Sequence, residues 1–326
     1  MKITLAHGSG GKSTTELIDK IFAKHLSNPV LDMMDDCAVV EGSRRIAVTT
    51  DSFVVTPLVF KGGDIGRLAV CGTVNDLLMR GAVPKYITSA FIIEEGADSE
   101  LLEQLVISMA AAAKEAGVIV IAGDTKVING SGGVYINTTG VGFVGDNTDI
   151  SCRCVKNGDS VIVSGNMGDH HAAILSARMN VENNIESDCA PLVEMVSELM
   201  SNGIEIHAMR DITRGGLGTV LNELADSSGC SINIYEEKIP VSDEVRAFCK
   251  ILGLDVMHMG NEGKLVVFVP SEQEQRAVEI IKKCAYGSGC TAVGSVEAGS
   301  GVILTTRLGG KKTVSVLYGE GLPRIC

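Results

Sequence analysis

Residues 64–81 have the sequence DIGRLAVCGTVNDLLMRG, and this stretch decides how the first half of the chain folds. Its apolar side chains would lie nearly all round a helix, which predicts a helix over about 64–80 that is buried inside a domain and ends at Gly81. Asn75 and Asp76 would then be buried as well, and burial of an unpaired polar group costs on the order of several kcal/mol. We therefore expect both side chains to have partners.

Segments with the composition of β-strands flank this helix. They are rich in Val, Ile, Thr, Tyr and Phe, which predicts strands over Cys37–Val40, Arg45–Thr50, Tyr86–Ile93, Val118–Ala122 and Val134–Val144. A second helix is predicted from a cap at Ser99 to a stop at Gly117. Ser13 and Glu16 have capping-box spacing, so a short helix is expected after Ser13. The first half is therefore expected to be α+β, with a sheet that is covered on one face.

The pattern restarts at the turn Lys156–Asp159, where we place the boundary between two domains. A short apolar strand is predicted at Ser160–Ser164. The remaining predicted helices lie near 172–180, 192–202, 217–227, 243–252 and 272–284, and the remaining strands near 231–235, 265–269 and 302–306. The predicted fold class is α/β (α+β), with an N-terminal domain over residues 1–155 and a C-terminal domain over residues 156–326. Residues 317–326 are expected to form a tail.

Composition narrows the classes of function. The 326 residues carry a formal net charge of −12 and only 4% are aromatic, which argues against a nucleic-acid partner. No apolar run is as long as a membrane span and no apolar secretory segment is visible, so we expect a cytoplasmic protein without a membrane partner. The ten cysteines are then expected to be reduced thiols, and none belongs to a CxxC pair typical of zinc sites.

The segment His7–Ser13, HGSGGKS, has glycines and a lysine that suit phosphate. It opens a predicted helix, where backbone N–H groups are exposed, and Lys12 adds positive charge. It is not a Walker motif, because Ala6 stands where the first glycine would be. From this segment alone, a phosphate loop and a flexible arm are equally good interpretations.

Aspartates form a second candidate site. Asp36 precedes a predicted strand, Asp51 follows one, Asn75 and Asp76 lie in the buried helix, and Asp124 follows another strand. Oxygen ligands at strand ends suit Mg²⁺ with nucleotide phosphates. Taken singly, each aspartate is better explained as a turn residue or a helix cap, except that Asp76 needs a partner inside its apolar helix.

Three further segments combine polar residues with turns, and the last four residues form a special case. The segment 211–218 (DITRGGLG) enters a helix and suits an anion, and 261–264 (NEGK) is either an ordinary turn or part of a site. In 164–171 (SGNMGDHH), capping or packing histidines are favoured over metal ligands. The chain ends in PRIC, whose thiol at Cys326 is either idle or a swinging carrier that visits a second enzyme and then its own active site.

Together these motifs resemble those of the hydrogenase-maturation carbamoyl dehydratases, within the PurM-like superfamily of aminoimidazole ribonucleotide synthetases. The resemblance spans the whole chain. It rests on HGSGGK (7–12), TTDSFVV (49–55), PLVFKGGDIGRLAVCGTVNDLLMRGA (57–82), AGDTKV (122–127), VSGNMGDHH (163–171), DITRGGLG (211–218), NEGK (261–264) and PRIC (323–326). The PRIC terminus is specific to the dehydratases, whereas the aspartate motifs are shared with the superfamily.

The resemblance implies a two-domain PurM-like fold and an ATP-dependent reaction. The N-terminal domains would pair into a dimeric sheet or barrel in a homodimer, with ATP near the interface. A partner carbamoyltransferase, HypF, would load a carbamoyl group onto the Cys326 sulfur. ATP would phosphorylate the carboxamide oxygen, and loss of phosphate would leave a thiocyanate. The cyano group would then pass to a HypC–HypD complex for the nickel–iron site.

The same resemblance implies roles for single residues. Those expected to hold Mg²⁺ are Asp36, Asp51, Asp76 and Asp124. Those expected to bind ATP are Gly8, Gly10, Gly11, Lys12, Asp51, Asn75, Asp76 and Asp124. Lys126 and Glu262 are both candidates for the base that deprotonates the carbamoyl nitrogen, and the sequence does not choose between them. Arg324 would dock the tail that carries Cys326.

Two other functions fit parts of the pattern. Another PurM-like synthetase or kinase acting on a small molecule would not need a cysteine as its last residue. A scaffold or metal chaperone would bind metal without ATP turnover, but the sequence has no paired CxxC and no His-rich tract.

Overall fold

The computed structural model describes residues 2–9, 11–35 and 37–316. Its first helix, α1, covers Lys12–Leu17, passes through a π-helical segment at Ile18–Ala23 and continues as α2 at Lys24–Leu26. The capping box expected at Ser13 is wrong, because the helix begins behind Gly11 and no side chain caps it. π-Helical turns are frequent at functional sites, and this one lines a cavity described below.

The first domain is built on a mixed sheet. Its strands are β1 (Ile46–Phe53), β4 (Ala82–Glu94), β5 (Ile119–Ile128) and β6 (Val134–Val144), and a separate hairpin joins β2 (Val59–Phe60) to β3 (Gly63–Asp64). Among the described residues the sheet order is β1–β6–β4–β5, with only β4 and β5 parallel. The strand expected at Cys37–Val40 is wrong, because residues 37–43 have no regular structure. The other four predicted strands are confirmed.

Two helices pack against each other over one face of this sheet, α3 (Ile65–Leu78) and α4 (Ser99–Ala116). Asp64 caps α3 by accepting a hydrogen bond from the N–H of Arg67 at 3.0 Å. The buried helix predicted from residues 64–80 is confirmed, while α4 is capped by Asp98 rather than by Ser99. Gly66 allows the two helices to approach closely, because a Cβ there would lie 2.1 Å from the carbonyl oxygen of Leu105.

The second domain places helices on both faces of a larger sheet. Its elements are β7 (Asp159–Val163), α5 (Asp169–Arg178), α6 (Val193–Ser201), β8 (Ala208–Asp211), α7 (Gly216–Ser228), β9 (Cys230–Tyr235), α8 (Asp243–Leu252), β10 (Leu265–Pro270), α9 (Glu274–Lys283), β11 (Thr291–Ala298), β12 (Gly301–Thr305) and β13 (Lys311–Val314). Within the described chain the strand order is β13–β12–β9–β11–β7–β10–β8. Every residue of β7 is buried, as expected for a central strand covered on both faces.

The two domains share a hydrophobic core around α3. One cluster of buried side chains runs from α3 and α4 into α6, α9 and one face of the second sheet. Hydrogen bonds reinforce this contact: the Arg67 Nε donates to the carbonyl of Cys189 at 2.9 Å, and the Tyr286 hydroxyl donates to Glu115 at 2.6 Å. α3 therefore has the first sheet on one side and the second domain on the other.

Short 3₁₀ turns complete the described structure, at Leu5–Gly8, Leu31–Met33, Cys152–Cys154, Glu236–Lys238, Val256–His258 and Ser271–Gln273. In the part of the chain that is described, no helix is long and apolar enough to cross a lipid bilayer.

Candidate functional site

Two carboxylates of the first domain meet between β1 and α3. Asp51, within β1, accepts a hydrogen bond from the Thr73 hydroxyl at 3.4 Å, and Asp76, within α3, accepts one from the Thr49 hydroxyl at 2.7 Å. Asp76 thus has the partner that its position in an apolar helix requires. Burial, and then the nearby charge of Asp76, raise the pKa of Asp51 to about 6. A pair of carboxylates that disfavours ionisation in this way attracts cations.

Two carboxylates of the second domain face this pair. Asp211 ends β8 and is 8% exposed, and Glu262 is 5% exposed. Burial, followed by the charge of Asp76, raises the pKa of Asp211 to about 7. Burial, followed by the charge of Asp211, raises the pKa of Glu262 well above its ordinary value. We call Asp51, Asp76, Asp211 and Glu262 the acidic junction, because it lies where the two domains meet.

The segment that carries Glu262 is packed tightly into the second domain. Gly263 lies against the backbone of Asp188, where a Cβ would come within 1.9 Å of the carbonyl oxygen. The buried Lys264 ammonium lies 3.5 Å from the Asp188 carboxylate, and Gly165 leaves room for its side chain, because a Cβ there would lie 2.8 Å from the Lys264 Cε. An ordinary turn does not require a buried lysine that is paired with a carboxylate, so the structure favours the interpretation of this segment as part of a functional site.

Asp124 and Lys126 lie on the opposite face of the first sheet from Asp51. In the register across the sheet, Asp51 shares its row with Thr138, Ser89 and Gly123, while Asp124 belongs to the next row. Neighbouring residues of a strand point to opposite faces, and three strand spacings add roughly 14 Å. The structure therefore does not bring Asp124 together with Asp51 and Asp76 within one chain. Asp51 and Asp124 also lie inside strands, not after their ends as expected.

A cavity of about 270 Å³ lies between the N-terminal helices and β5. Its lining is mostly apolar and includes Ile18, Phe22 and Phe91, with Asp124 and Lys126 among its polar residues. The Lys126 ammonium lies 3.3 Å from the Asp124 carboxylate. A concave apolar site with a few charged groups is typical of small-molecule binding.

The glycine-rich segment borders the same cavity. Gly8 lines it and packs on β5, where a Cβ would lie 2.4 Å from the backbone nitrogen of Val127. Gly11 precedes α1 with φ +73°, and Lys12 is exposed, with its ammonium 3.9 Å from Glu16. Gly10 lies outside the described residues, as do Asp36, Arg324 and Cys326.

His170 and His171 are buried in the second domain, as expected for packing histidines. His170 is fully buried, with its Nδ1 2.7 Å from the Ser187 hydroxyl and its ring against Phe60. Burial lowers the pKa of His170 and of His171 to about 4. Both rings are therefore neutral near pH 7.

Sequence reasoning missed part of this arrangement. Asp188 lies in a segment without regular structure, so no local pattern marks it as the partner of Lys264. Asp211 was assigned only to an anion-binding turn, and nothing in a single sequence places it beside Asp76. The one available signal was the NEGK motif, whose lysine directly precedes an apolar strand and would be buried with it.

The acidic junction fits a magnesium ion that arrives with phosphates. Among the described residues, no group of three or more His, Cys, Asp or Glu side chains forms a metal site by itself. Mg²⁺ usually takes one or two carboxylates together with phosphate oxygens and water, so the pair of Asp51 and Asp76 is enough.

Family models match both halves of the chain. The N-terminal domain of AIR synthase related protein matches residues 34–144, and its C-terminal domain matches residues 156–307. Together they cover more than half of the sequence.

Similar proteins cover the chain from end to end. Carbamoyl dehydratase HypE of Rhodobacter capsulatus is 43% identical over 334 residues, which is 100% of this chain and 98% of that protein. A crystal structure of hydrogenase maturation protein HypE in complex with ATP is 41% identical, with a TM-score of 0.95 over 99% of both chains. A crystal structure of a HypE–HypF complex matches with 46% identity and a TM-score of 0.81 over 92% of this chain and 99% of that one.

Proposed function

The chain belongs to the HypE family of carbamoyl dehydratases, and from that premise we propose that it uses ATP to dehydrate a carbamoyl group on the Cys326 sulfur to a thiocyanate. The thiocyanate then serves hydrogenase maturation as a cyano donor. The observation that carries the proposal is the acidic junction, where two carboxylates of each domain converge. Such a site can hold a cation for phosphates on one side and offer a base to the carbamoyl group on the other.

ATP would bind to the first domain. The cavity beside Phe22 and Phe91 has the size and apolar lining for a nucleotide base, and the N–H groups near Gly8 and Gly11 suit phosphates. When bound, ATP and Mg²⁺ would supply the phosphoryl group that makes the carboxamide oxygen a good leaving group. Asp51 and Asp76 would hold the ion, because carboxylate oxygens are the hard ligands that Mg²⁺ prefers. Asp36 remains a candidate ligand of the same ion, and Lys12 a candidate partner of the phosphates.

Glu262 would take a proton from the carbamoyl nitrogen. The reaction removes both amide protons and transfers the carbamoyl oxygen to phosphate, so that the carbon keeps only its bonds to sulfur and nitrogen. Glu262 lies at the junction itself, and a cation bound there would lower its raised pKa toward the working pH of a base. Lys126, on the other face of the sheet, would instead stabilise charge, or act as the base from a second subunit.

A homodimer would complete the site. The uncovered face of the first sheet exposes neighbouring apolar side chains at one end, Ile46, Val48 and Val83, and a further one, Ile92, near the other end of β4. Contiguous apolar surface of this kind marks an interface between proteins. The register places the side chains of Asp124 and Lys126 on the same face, so pairing through it would bring both residues to the interface between the two subunits. This arrangement reconciles their distance from Asp51 with a shared role.

The reaction needs partners to supply the carbamoyl group and to receive the cyano group. A relative of 46% identity has been crystallised with HypF, which supports HypF as the donor enzyme for Cys326. We propose a HypC–HypD complex as the acceptor and the cytoplasm as the compartment. Arg324 would help to dock the tail during the visit to each site.

Removal of the terminal thiol tests the proposal directly. In Cys326→Ala, or after deletion of residues 317–326, thiocyanate formation should be lost while ATP binding, measured by calorimetry, stays within about twofold of the parent. Dehydration that continues without the tail would disprove the proposal.

A further inference from the structure

The backbone of Glu262 is held from both sides. Its carbonyl accepts a hydrogen bond from the Asn75 side-chain nitrogen at 3.4 Å, and its N–H donates to the Asp188 carboxylate at 3.0 Å. Asp188 belongs to the same domain as Glu262, but Asn75 comes from α3 of the other domain. The position of Glu262 therefore depends on how α3 contacts the second domain.

Both atoms of the Asn75 amide group form hydrogen bonds to the second domain. Its nitrogen also donates to the carbonyl of Ala190 at 3.0 Å, and its oxygen accepts from the N–H of Leu192 at 2.9 Å. The residue is 2% exposed, so neither amide atom faces solvent or the apolar cavity. The next residue along α3 is Asp76, a member of the acidic junction.

We infer that Asn75 is a positioning residue, whose amide fixes Glu262 of the second domain against the Asp51–Asp76 pair of the first. One turn of α3 thereby carries both a cation-binding carboxylate and the bond that aligns the base. This assignment replaces the nucleotide contact that the family resemblance implied for Asn75, because both amide atoms are already bonded to the second domain. The inference rests on the proposed function, since it requires Glu262 to act on the carbamoyl group.

The variant Asn75→Asp tests the inference with little change of shape. A carboxylate can still accept from the N–H of Leu192, but it cannot donate to the carbonyls of Ala190 and Glu262. We expect kcat for dehydration of carbamoylated Cys326 to fall about tenfold or more, because small misplacements of a base have large effects. The KM for ATP and the rate of carbamoyl loading by the transferase should stay within about twofold.

Two further variants separate this role from loss of stability. Asn75→Ala removes the amide without adding charge and should give the same fall in kcat. Leu224 lies on α7 and packs in a separate hydrophobic cluster of the second domain. Leu224→Ala should therefore lower Tm but leave kcat unchanged at temperatures below the unfolding transition. If both Asn75 variants lower Tm alone, or raise the KM for ATP with kcat unchanged, the inference is wrong. If the parent protein itself forms no thiocyanate, the proposed function fails instead.

Discussion

Four acidic residues from distant parts of the sequence lie close enough for their charges to influence one another. Asp51 and Asp76 belong to the first domain, and Asp211 and Glu262 to the second. Burial, and then the charges of the neighbouring carboxylates, raise the pKa of Asp51, Asp211 and Glu262 above the ordinary range. A site of this kind is costly for the fold without a cation, and it becomes favourable when a cation is present.

Replacement of Glu262 by Gln should prevent dehydration while Cys326 can still be carbamoylated. We expect kcat for dehydration to fall by about 100-fold or more, because a positioned base contributes that much. Mass spectrometry should show that Cys326 accumulates in the carbamoylated form. Lys126→Met is the matched comparison, and a larger loss in that variant than in Glu262→Gln would identify Lys126 as the base.

The pH dependence of stability should reveal the buried charge of Asp211. Its folded-state pKa of about 7 is above the ordinary 3.8, so the folded protein holds a proton that the unfolded chain has released. This group therefore stabilises the fold less as the pH rises from about 4 to 7. At 1.36 kcal/mol per pKa unit, ionised Asp211 costs up to roughly 4 kcal/mol at pH 8.

Asp211→Asn should consequently raise Tm relative to the parent at pH 8 and have little effect at pH 4. Calorimetry at the two values measures the difference, and Mg²⁺ with ATP should shrink it by stabilising the ionised parent. An equal change of Tm at both pH values would mean that the Asp211 carboxyl titrates normally.

Among the elements, α3 is the one whose role the sequence predicts best. Its continuous apolar surface predicts burial, and its two polar residues predict partners, both of which the structure provides. The sequence does not predict where those partners lie, because Asn75 contacts residues more than a hundred positions away. Long-range contacts leave no local pattern in one sequence.

Strands β11 and β13 are two that the sequence pattern does not predict, and each has a local physical reason for lacking a strand pattern. β13 is an edge strand that begins with two lysines, and charged residues of this kind protect edges from pairing with other chains. β11 contains Gly294 at an irregularity in its pairing with β7. Both therefore lack the run of β-branched and aromatic residues by which strands are recognised.

Gly66→Ala should weaken the packing of α3 on α4. The added methyl group would overlap the carbonyl of Leu105, so the helices must separate. We expect a loss of about 2–3 kcal/mol in the free energy of unfolding, measured by chemical denaturation. Gly42→Ala, where a Cβ would have no neighbour within 4 Å, is the control. A loss no larger than that of the control would show that the helices tolerate the methyl group.

At the scale of the whole molecule, pairing through the open sheet face is the main expectation. Val48→Lys should give a monomer by light scattering, because a charge would then lie within the buried apolar patch. If Asp124 and Lys126 act across the interface, dehydration should be lost as well. Ile251→Lys changes another exposed β-branched apolar residue, which lies on α8 and is 81% exposed, and it should leave the oligomer intact. A Val48→Lys variant that remains fully active as a monomer would refute the shared site.

The two-domain organisation could be expected from the sequence, but the site between the domains could not. The motifs identify the family and name most of the acidic residues. Which of them share one chain's site, and which lie on the opposite face, depends on strand register, and a one-residue shift would exchange the faces. Asp124 illustrates this, since its motif groups it with Asp51 while the sheet separates them.

The most direct test of the account follows the mass of the C-terminal peptide. The protein would be incubated with carbamoyl phosphate, the partner transferase and ATP, with and without Mg²⁺, and then digested. We predict that the peptide ending in Cys326 gains one carbamoyl group and then loses one water, and that the loss requires ATP. A peptide that never gains the carbamoyl group, or that loses water without ATP, would contradict the account.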